Sequence, residues 1–403
     1  MSHEPEIRFL SDSTILDCEW SKKYFTLTTI LASLAKKHGP VMLLHIGHVP
    51  TIVISSAKAA KEALKTRDPD FCGRPPKFCA ARLTYGYSDM GFAPYGEYWR
   101  QMRKITSLEL YGSRRMQSFL AASRIDELDT LLKSFASSAA KGEAVDLGEK
   151  LFAFSSGTMF KITYGTSFKG SMTDDKGFEK LINEAEGLLG AFASADYFGY
   201  PDLILAGVDT SALTTNWAMT ELMSNPSAMK KAQDEIRHSM AGKTQISKQD
   251  IESLKYLKMV LKETLRLHPP APLMPPKVTT ADTQIFGYDI KAGTRVYMNV
   301  WAIGRDPETW EDPEKFFPER FEESPIDYRG QHFELIPFGS GRRMCPGYTM
   351  GLATIELALA NMLHRFDWKL PEGMRKEDIS VEEGAGLTTY KKLPLRLVPV
   401  VKC

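Results

Sequence analysis

The spacing of apolar residues predicts a chain that is mostly helical, with a small β-sheet. Apolar side chains recur every three or four positions, which is the period of one helix face. These predicted helices cover residues 27–38, 57–66, 98–110, 113–137, 147–164, 176–195 and 202–224. A long loop with many glycines and prolines is predicted over 67–96. Short apolar runs between turn residues predict strands over 41–54 and 283–298, and an edge hairpin over 390–401.

The same pattern predicts how the chain is divided. It shows no internal repeat and no low-complexity linker. We therefore expect an irregular N-terminal segment over residues 1–30 and a single domain over residues 31–403. The segment Phe198-Gly199-Tyr200-Pro201 leads directly into the helix at 202–224, where a proline is tolerated in the first turn.

Composition excludes some partners and sites. Hydrophobic residues make up 43% and charged residues 25% of the chain, which are ordinary values for a globular protein with a sizeable core. Lysine and arginine exceed aspartate and glutamate by only one, so bulk charge gives no support for nucleic acid as a partner. The five cysteines are scattered without a Cys-x-x-Cys pair, which argues against zinc and disulfides and indicates a reducing compartment.

No membrane-spanning or secretory segment is predicted. The chain has no run of roughly 18 consecutive apolar residues, the length needed to cross a bilayer. Residues 1–20 are polar and irregular, without the charged and apolar regions of a signal peptide. We therefore expect a chain that lacks an anchor and is soluble, with membrane association weakened.

The main candidate for chemistry is a cysteine on a turn before a helix. The segment Phe338-Gly339-Ser340-Gly341-Arg342-Arg343-Met344-Cys345-Pro346-Gly347 runs into a long helical pattern. The unpaired N–H groups and positive dipole at the start of that helix favour a thiolate. Gly347 allows a flat ligand to approach the backbone. Such a thiolate can be the axial ligand of haem iron, whereas the alternative is a buried structural cysteine.

This segment carries a family resemblance. Its pattern Phe-x-x-Gly-x-Arg-x-Cys-x-Gly resembles the haem-binding signature of the cytochrome P-450 family, and the surrounding chain resembles the plant microsomal A-type branch. The resemblance implies a mainly α fold with a small β-sheet region, haem b as cofactor and Cys345 as the ligand of its iron. It also implies a monooxygenase that inserts one atom of O2 into a hydrophobic small molecule of plant secondary metabolism. Electrons would come from NADPH through a flavoprotein reductase.

A second motif is similar to the family's oxygen-activation motif. It reads Ala206-Gly207-Val208-Asp209-Thr210-Ser211, within the predicted helix 202–224. By this resemblance, Gly207 makes room for a dioxygen-sized ligand, and the Thr210 hydroxyl hydrogen-bonds to it. Asp209 would relay protons as a general acid. The alternative is that Asp209 and Thr210 lie on a solvated helix face.

Other matches concern support and cofactor binding. The resemblance implies that Glu263, Arg266 and Arg320 form a buried ionic network behind the cysteine segment, with a structural role. It also implies that Trp99, Arg103 and Arg343 hold the haem propionates and that Phe338 and Gly347 contact the cofactor. One position departs from the family, which usually has Arg and then Glu after Pro275-Pro276. This chain has Lys277-Val278, and lysine lacks the bidentate fork of arginine.

Contacts with substrate and with the reductase are predicted by position in the family. The residues predicted to line the substrate cavity are Met90, Phe92, Ala271, Leu273, Leu387 and Thr388, each of which could equally be plain core. The residues predicted to form a positive patch for an acidic flavoprotein reductase are Arg100, Lys104, Lys230, Lys231 and Arg342. The alternative for the patch is ordinary solvated charge.

The resemblance is interrupted near residues 198–202. A helix over 202–224 is about 34 Å long at 1.5 Å per residue, whereas a chain of this size measures about 55 Å across. In the family this helix crosses the whole molecule and is preceded by helices that roof the active site. We therefore expect a deletion junction here and a fold incomplete in the roof helices over the haem. The rival function is a truncated, non-catalytic relative that binds haem without productive turnover. By resemblance the location is the cytosolic face of the endoplasmic reticulum membrane.

Overall fold

Most of the predicted helices are present, several with the expected bounds. The computed structural model describes residues 9–10, 27–46, 49–76, 78–165, 202–384 and 387–402. Helices within these residues are α1 Leu27–His38, α2 Ala57–Lys61, α3 Phe78–Leu83, α4 Glu97–Ile105, α5 Ser113–Lys141, α6 Leu147–Tyr164, α7 Asp202–Ser224, α8 Pro226–Ser239, α9 Lys248–Ile251, α10 Lys255–Leu267, α11 Val300–Ile303 and α12 Tyr348–Arg365.

Shorter helical turns extend or connect these helices. The π-helical turns Glu62–Thr66 and Thr106–Leu110 continue α2 and α4. Turns of 3-10 helix lie at Pro318–Phe321, Gly341–Arg343 and Lys376–Asp378. The region predicted as one loop over residues 67–96 contains α3, so that prediction was wrong over these six residues. The predicted helix 176–195 and residues 198–201 of the expected junction lie outside the described residues.

The strands come from distant parts of the chain. They are β1 Phe9–Leu10, β2 Val41–Ile46, β3 Val49–Ile54, β4 Val145–Asp146, β5 Lys277–Val278, β6 Thr283–Ile285, β7 Tyr288–Ile290, β8 Arg295–Met298, β9 Phe366–Lys369 and β10 Arg396–Val401. They form a five-stranded sheet in the order β1-β2-β3-β8-β5, a three-stranded sheet β4-β10-β9 and the pair β6-β7. Within the segment predicted as irregular, 1–30, the structure describes β1 and the first residues of α1.

The edge hairpin predicted at the C-terminus is wrong. The strand β10 is the central strand of its sheet, antiparallel to β4 on one side and to β9 on the other. Its partners therefore lie far back in the chain, and a local pattern of apolar residues carries no information about them.

The main core is helical. The helix α7 packs against α6, α10 and α12, and the buried Trp217 of α7 is among the largest fully enclosed side chains. A second apolar cluster lies between the five-stranded sheet and α2, with Ile52, Ile54 and Val296 fully buried. No helix of the described residues combines the length and the apolar character needed to cross a membrane.

Candidate active site

A cavity of about 280 Å³ opens beside α7 and the segment 338–347, here called the cysteine loop. Its lining includes Gly207 and Thr210 of α7 and Phe338, Cys345 and Gly347 of the cysteine loop. The structure therefore brings together the two motifs that the sequence placed more than a hundred residues apart. Any group bound here would lie between the predicted oxygen-activation motif and the Cys345 sulfur.

Backbone hydrogen bonds hold Cys345 at the start of α12. Its own N–H donates to the carbonyl of Phe338 over 2.9 Å. Burial raises the pKa of the Cys345 thiol, while the backbone N–H groups of Gly347 and Tyr348 and the charge of Arg103 lower it. A thiolate is thus stabilised by local donors but remains costly in the protein alone, so a positively charged partner is needed to compensate it.

The tight shape of the cysteine loop requires glycine at position 341. Gly341 has φ of +71°, and a Cβ there would lie 2.5 Å from the carbonyl oxygen of Leu64. The neighbouring N–H of Arg342 donates to the Asp68 carboxylate, at 3.2 Å for the nearer oxygen. The loop is therefore pressed against the π-helical turn after α2 and the residues that follow it.

Trp99 and Arg343 line the cavity, but their donors already have backbone partners. The Trp99 indole N–H donates to the carbonyl of Met90 over 3.0 Å. The Arg343 guanidinium donates to the carbonyls of Cys72 at 3.0 Å and Ala93 at 2.7 Å, and its carbon lies 4.3 Å from the centre of the Trp99 ring. Both residues therefore hold the backbone at positions 72, 90 and 93 beside the cavity.

Arg103 differs from these two. It is half-buried, lines the cavity, and lies 6.0 Å from the centre of the Trp99 ring. It donates a hydrogen bond to none of the described residues, and burial lowers its pKa. A partly buried guanidinium that donates to no described acceptor is unfavourable, so the site favours an anion beside Arg103.

Lys277, the departure from the family pattern, also faces this cavity. Its side chain is buried, and its Nζ has no hydrogen-bond partner among the described residues. Burial, and after it the charge of Arg74, lower the pKa of Lys277 to about 7. Arg74, which the sequence reasoning missed, donates to the carbonyls of Gly91 and Pro275. In the sequence, only its position between a glycine and two prolines could have marked Arg74 as a residue of the site.

The α7 motif is split between the cavity and the core. Gly207 and Thr210 line the cavity, whereas Asp209 is 4% exposed and its carboxylate accepts a hydrogen bond from Thr388 over 2.8 Å. The alternative of a solvated helix face is therefore wrong for Asp209. A Cβ at Gly207 would lie 2.6 Å from Cε of Met159, so this glycine also permits the close approach of α6 and α7.

Four of the six predicted substrate contacts line the cavity, namely Met90, Ala271, Leu387 and Thr388. The prediction is wrong for Phe92, which is buried in the helical core. It is also wrong for Leu273, which packs against the cluster of α1 and the five-stranded sheet. The chain turns here, with the Met274 N–H donating to the Ala271 carbonyl over 3.1 Å, so alternate residues do not share a side. Met274 lines the cavity instead.

The predicted ionic network is assembled and buried. Arg266 donates to both oxygens of Glu263 at 2.7 and 2.8 Å, and Arg320 donates to Glu263 Oε1 at 3.0 Å. Arg266 also donates to the carbonyls of Gly304 and Pro313. The direct contacts therefore fix the segment after α11, and none of these bonds reaches the cysteine loop itself.

The predicted positive patch is largely neutralised. Arg100 pairs with Glu97 at 2.7 Å, and Arg342 pairs with Asp68 at 3.6 Å. Lys230 and Lys231 each pair with a carboxylate, those of Asp234 and Glu319. Pairing reduces the field that these four side chains could present to an acidic partner.

Comparison with known sequences gives one consistent result. The family model described as Cytochrome P450 matches residues 25–201 and 200–395, two parts that meet at residues 200–201. Cytochrome P450 71B37 of Arabidopsis thaliana is 42% identical over 441 residues, covering 92% of this chain and 88% of the relative. Cytochrome P450 71A1 of Persea americana is 38% identical, covering 91% of this chain and 88% of the relative.

Solved structures agree with this result. A zebrafish cytochrome P450 with abiraterone has a TM-score of 0.78 at 21% identity, covering 93% of this chain and 99% of the other. A zebrafish cytochrome P450 with progesterone has a TM-score of 0.76 at 22% identity. These likenesses show the fold, which is mainly α with a small β-sheet region. Together with the sequence matches, they show that this chain belongs to the cytochrome P450 family.

Proposed function

We propose that this chain binds haem b at Cys345 and inserts one atom of O2 into a hydrophobic small molecule of plant secondary metabolism. Its family makes it a cytochrome P450 monooxygenase of the plant type, with haem as cofactor. The observation that carries the proposal is the Cys345 side chain, which lines the cavity and receives backbone N–H groups at the start of α12.

The charges around the cavity fit this cofactor. Haem b presents an iron that takes a thiolate ligand and two carboxylates on one edge. The cavity offers one thiol, Cys345, and two basic side chains, Arg103 and Lys277, that donate no hydrogen bond to the described residues. A cofactor carboxylate would supply the acceptor that the Lys277 Nζ otherwise lacks.

The predicted cofactor-binding residues, together with Lys277, then have roles toward the bound group. Cys345 would ligate the iron, and Phe338 and Gly347 would contact the ring. Arg103 and Lys277 would bind the carboxylates directly. Trp99 and Arg343 would join them if their N–H groups exchange backbone carbonyls for the cofactor carboxylates. When bound, the haem supplies the activation of O2.

The residues of α7 would leave room for a ligand and transfer protons to it. Gly207 keeps side-chain atoms away from the cavity at its position, and Thr210 lies on the cavity. The Thr210 hydroxyl can accept a hydrogen bond from a proton donor and donate its own hydrogen to a ligand. Asp209, buried beside it, would be the acid that supplies those protons.

The rest of the cavity suits an apolar substrate. Met90, Ala271 and Leu387 contribute apolar surface, and the Thr388 hydroxyl is engaged with Asp209. A hydrophobic molecule would be oriented mainly by shape, with few polar contacts. We also propose, from the plant relatives, electrons from NADPH through a flavoprotein reductase and a location at the cytosolic face of the endoplasmic reticulum.

The ligand assignment is tested by the spectrum of the protein reconstituted with haem. A thiolate ligand gives the red-shifted ferrous–CO band, and we expect Cys345→Ala to abolish it. The matched control is Cys72→Ser, since Cys72 is a second free cysteine, is buried, and donates its thiol hydrogen to the carbonyl of Pro69. An unshifted band from the unmodified chain would refute the assignment.

A second candidate function is haem binding without productive turnover. The first relative aligns over 441 residues with 92% of this chain, about 371 residues, so about 70 of its residues have no counterpart here. The two-part family match supports a deletion at residues 200–201, where we propose that roof helices are missing. Bulk water would then enter the site. A normal ferrous–CO band without oxygenated product from any hydrophobic substrate would favour this candidate.

A further inference from the structure

A buried hydrogen bond connects α7 to the C-terminal part of the chain beside the cavity. Thr388 Oγ1 donates to Asp209 Oδ2 over 2.8 Å, across 179 positions of sequence. The two residues are 6% and 4% exposed. A hydrogen bond to a carboxylate is stronger than one between neutral groups, and burial strengthens it further. This bond therefore fixes the orientation of the Asp209 carboxylate.

Because Thr388 lines the cavity, this bond lies at the cavity wall. Thr388 belongs to the lining of the cavity, whereas Asp209 is absent from the lining that the described residues provide. The Thr388 side chain thus contacts both the cavity and the buried carboxylate. Asp209 has no direct place on the cavity, so its effect there depends on how its neighbours orient it.

The backbone of the next residue, Thr389, is held by two hydrogen bonds. The N–H of Thr389 donates to the carbonyl of Pro270 over 3.0 Å, and the Trp217 indole N–H donates to the carbonyl of Thr389 over 2.9 Å. The Trp217 ring in turn stacks on His268 with centroids 4.0 Å apart. Two separate elements, α7 and the segment after α10, therefore hold the backbone next to Thr388.

We propose that Thr388 is a positioning residue that holds the Asp209 carboxylate in the orientation from which it supplies protons to the cavity. This inference rests on the proposed role of Asp209. Without the Thr388 hydroxyl, the carboxylate would be buried with one donor fewer and would turn toward other partners. Proton supply would then become slower while haem binding stays unchanged.

The variants are Thr388→Val, which removes the hydroxyl at nearly constant shape, and Thr388→Ser, which keeps it. The matched control is Thr389→Val. Thr389 is the next residue and is also buried, but its Oγ1 has no hydrogen-bond partner among the described residues. The same substitution at this neighbour therefore removes a hydroxyl without removing a bond.

The first readout is the rate of NADPH-driven O2 consumption by the haem-loaded protein with an added plant cytochrome P450 reductase, in H2O and in D2O. We expect Thr388→Val to lower the rate about tenfold, a part of the usual contribution of a positioned acid, and to raise the H2O-to-D2O rate ratio. Thr388→Ser and Thr389→Val should resemble the unmodified protein. Equal loss in Thr388→Val and Thr389→Val would show a merely structural role and overturn the proposal.

The second readout does not depend on activity. Urea unfolding of haem-loaded Thr388→Val, Asp209→Asn and the double variant forms a double-mutant cycle. We expect the double variant to shift the midpoint by less than the sum of the single shifts, whereas additive shifts would contradict the contact. If Asp209→Asn leaves the O2 consumption rate unchanged, the proposed role of Asp209 fails, and the role of Thr388 fails with it. If Asp209→Asn slows it and Thr388→Val does not, only the role of Thr388 fails.

Discussion

At the scale of single residues, Lys277 shows how burial changes the behaviour of an ordinary side chain. The charged and titratable groups that act on it are Arg74 and Arg343, which oppose its charge, and Asp68 and Cys72, which favour it. Desolvation is the largest effect, and it lowers the pKa to about 7. The folded protein therefore releases the proton of Lys277 well below the pH at which the unfolded chain does.

This difference predicts a pH dependence of stability in the haem-free protein. From pH 7 to about 10.4, the unfolded chain holds a proton that the folded chain lacks, so the free energy of unfolding rises with pH. The rise is at most about 1.4 kcal/mol per pH unit for one group. We expect Lys277→Met to lose it and to exceed the unmodified protein in stability most clearly at pH 7.

Urea unfolding of the two proteins between pH 7 and pH 10 measures this effect. Lys391, whose pKa burial lowers to about 8, contributes a slope of the same sign in both proteins and cancels in the difference. Lys291→Met is the control, because Lys291 is exposed and its pKa is raised by pairing with Asp282. Equal slopes for Lys277→Met and the unmodified protein would contradict the burial of a partly neutral lysine.

At the scale of elements, the contact between α6 and α7 determines how the oxygen-activation motif is placed. Gly207 lies where Met159 of α6 approaches α7, and it also lines the cavity. A side chain at this position would meet Cε and Sδ of Met159, so the end of the Met159 side chain would have to move. The glycine therefore serves helix packing as well as the space that the family resemblance assigns to it.

We expect Gly207→Ala to destabilise the protein by about 1 kcal/mol, the low end of the usual cost of overpacking, because the flexible end of Met159 can move aside. In a Met159→Ala background this cost should disappear, because the clash is gone. Gly351→Ala on α12 is the matched control. Gly351 also lines the cavity, but its added Cβ would meet only the Ser211 hydroxyl, at 3.7 Å. Unfolding in urea measures all three, and equal costs at positions 207 and 351 would refute the packing argument.

At the scale of the whole molecule, the relation to the longer relatives decides how well the site is enclosed. The fold matches solved cytochromes P450 closely, while the family match is divided at residues 200–201. If roof helices are missing there, water reaches the site and electrons are lost before substrate is oxidised.

We therefore expect poor coupling, with most NADPH electrons leaving as hydrogen peroxide or water. Inserting at residues 200–201 the segment that Cytochrome P450 71B37 carries there should lower the hydrogen peroxide released per NADPH consumed. A flexible Gly/Ser insert of equal length is the control and should not lower it. Tight coupling in the unmodified chain with any substrate would show that its site is already enclosed.

Most helices and the cysteine loop could be predicted from the sequence because their signals are local. The helix α7 begins and ends at the predicted residues, since apolar periodicity and Pro201 mark its bounds within a few positions. The wrong substrate assignments, Phe92 and Leu273, depended on where loops turn. A loop's direction follows from its turns, such as the one closed by the bond from the Phe92 N–H to the Asp89 carboxylate, and periodicity does not report these.

The sequence by itself determined the family, the helical elements and the residue types able to bind haem, because motif spacing and periodicity are properties of neighbouring residues. Only the tertiary structure decided that β10 is a central strand, that the Lys277 Nζ is buried without a hydrogen-bond partner among the described residues, and that Thr388 donates to Asp209. Each of these depends on residues brought together from distant parts of the chain. Burial and pairing are set by the packed molecule, since a side chain's charge and hydrogen bonds respond to all of its surroundings.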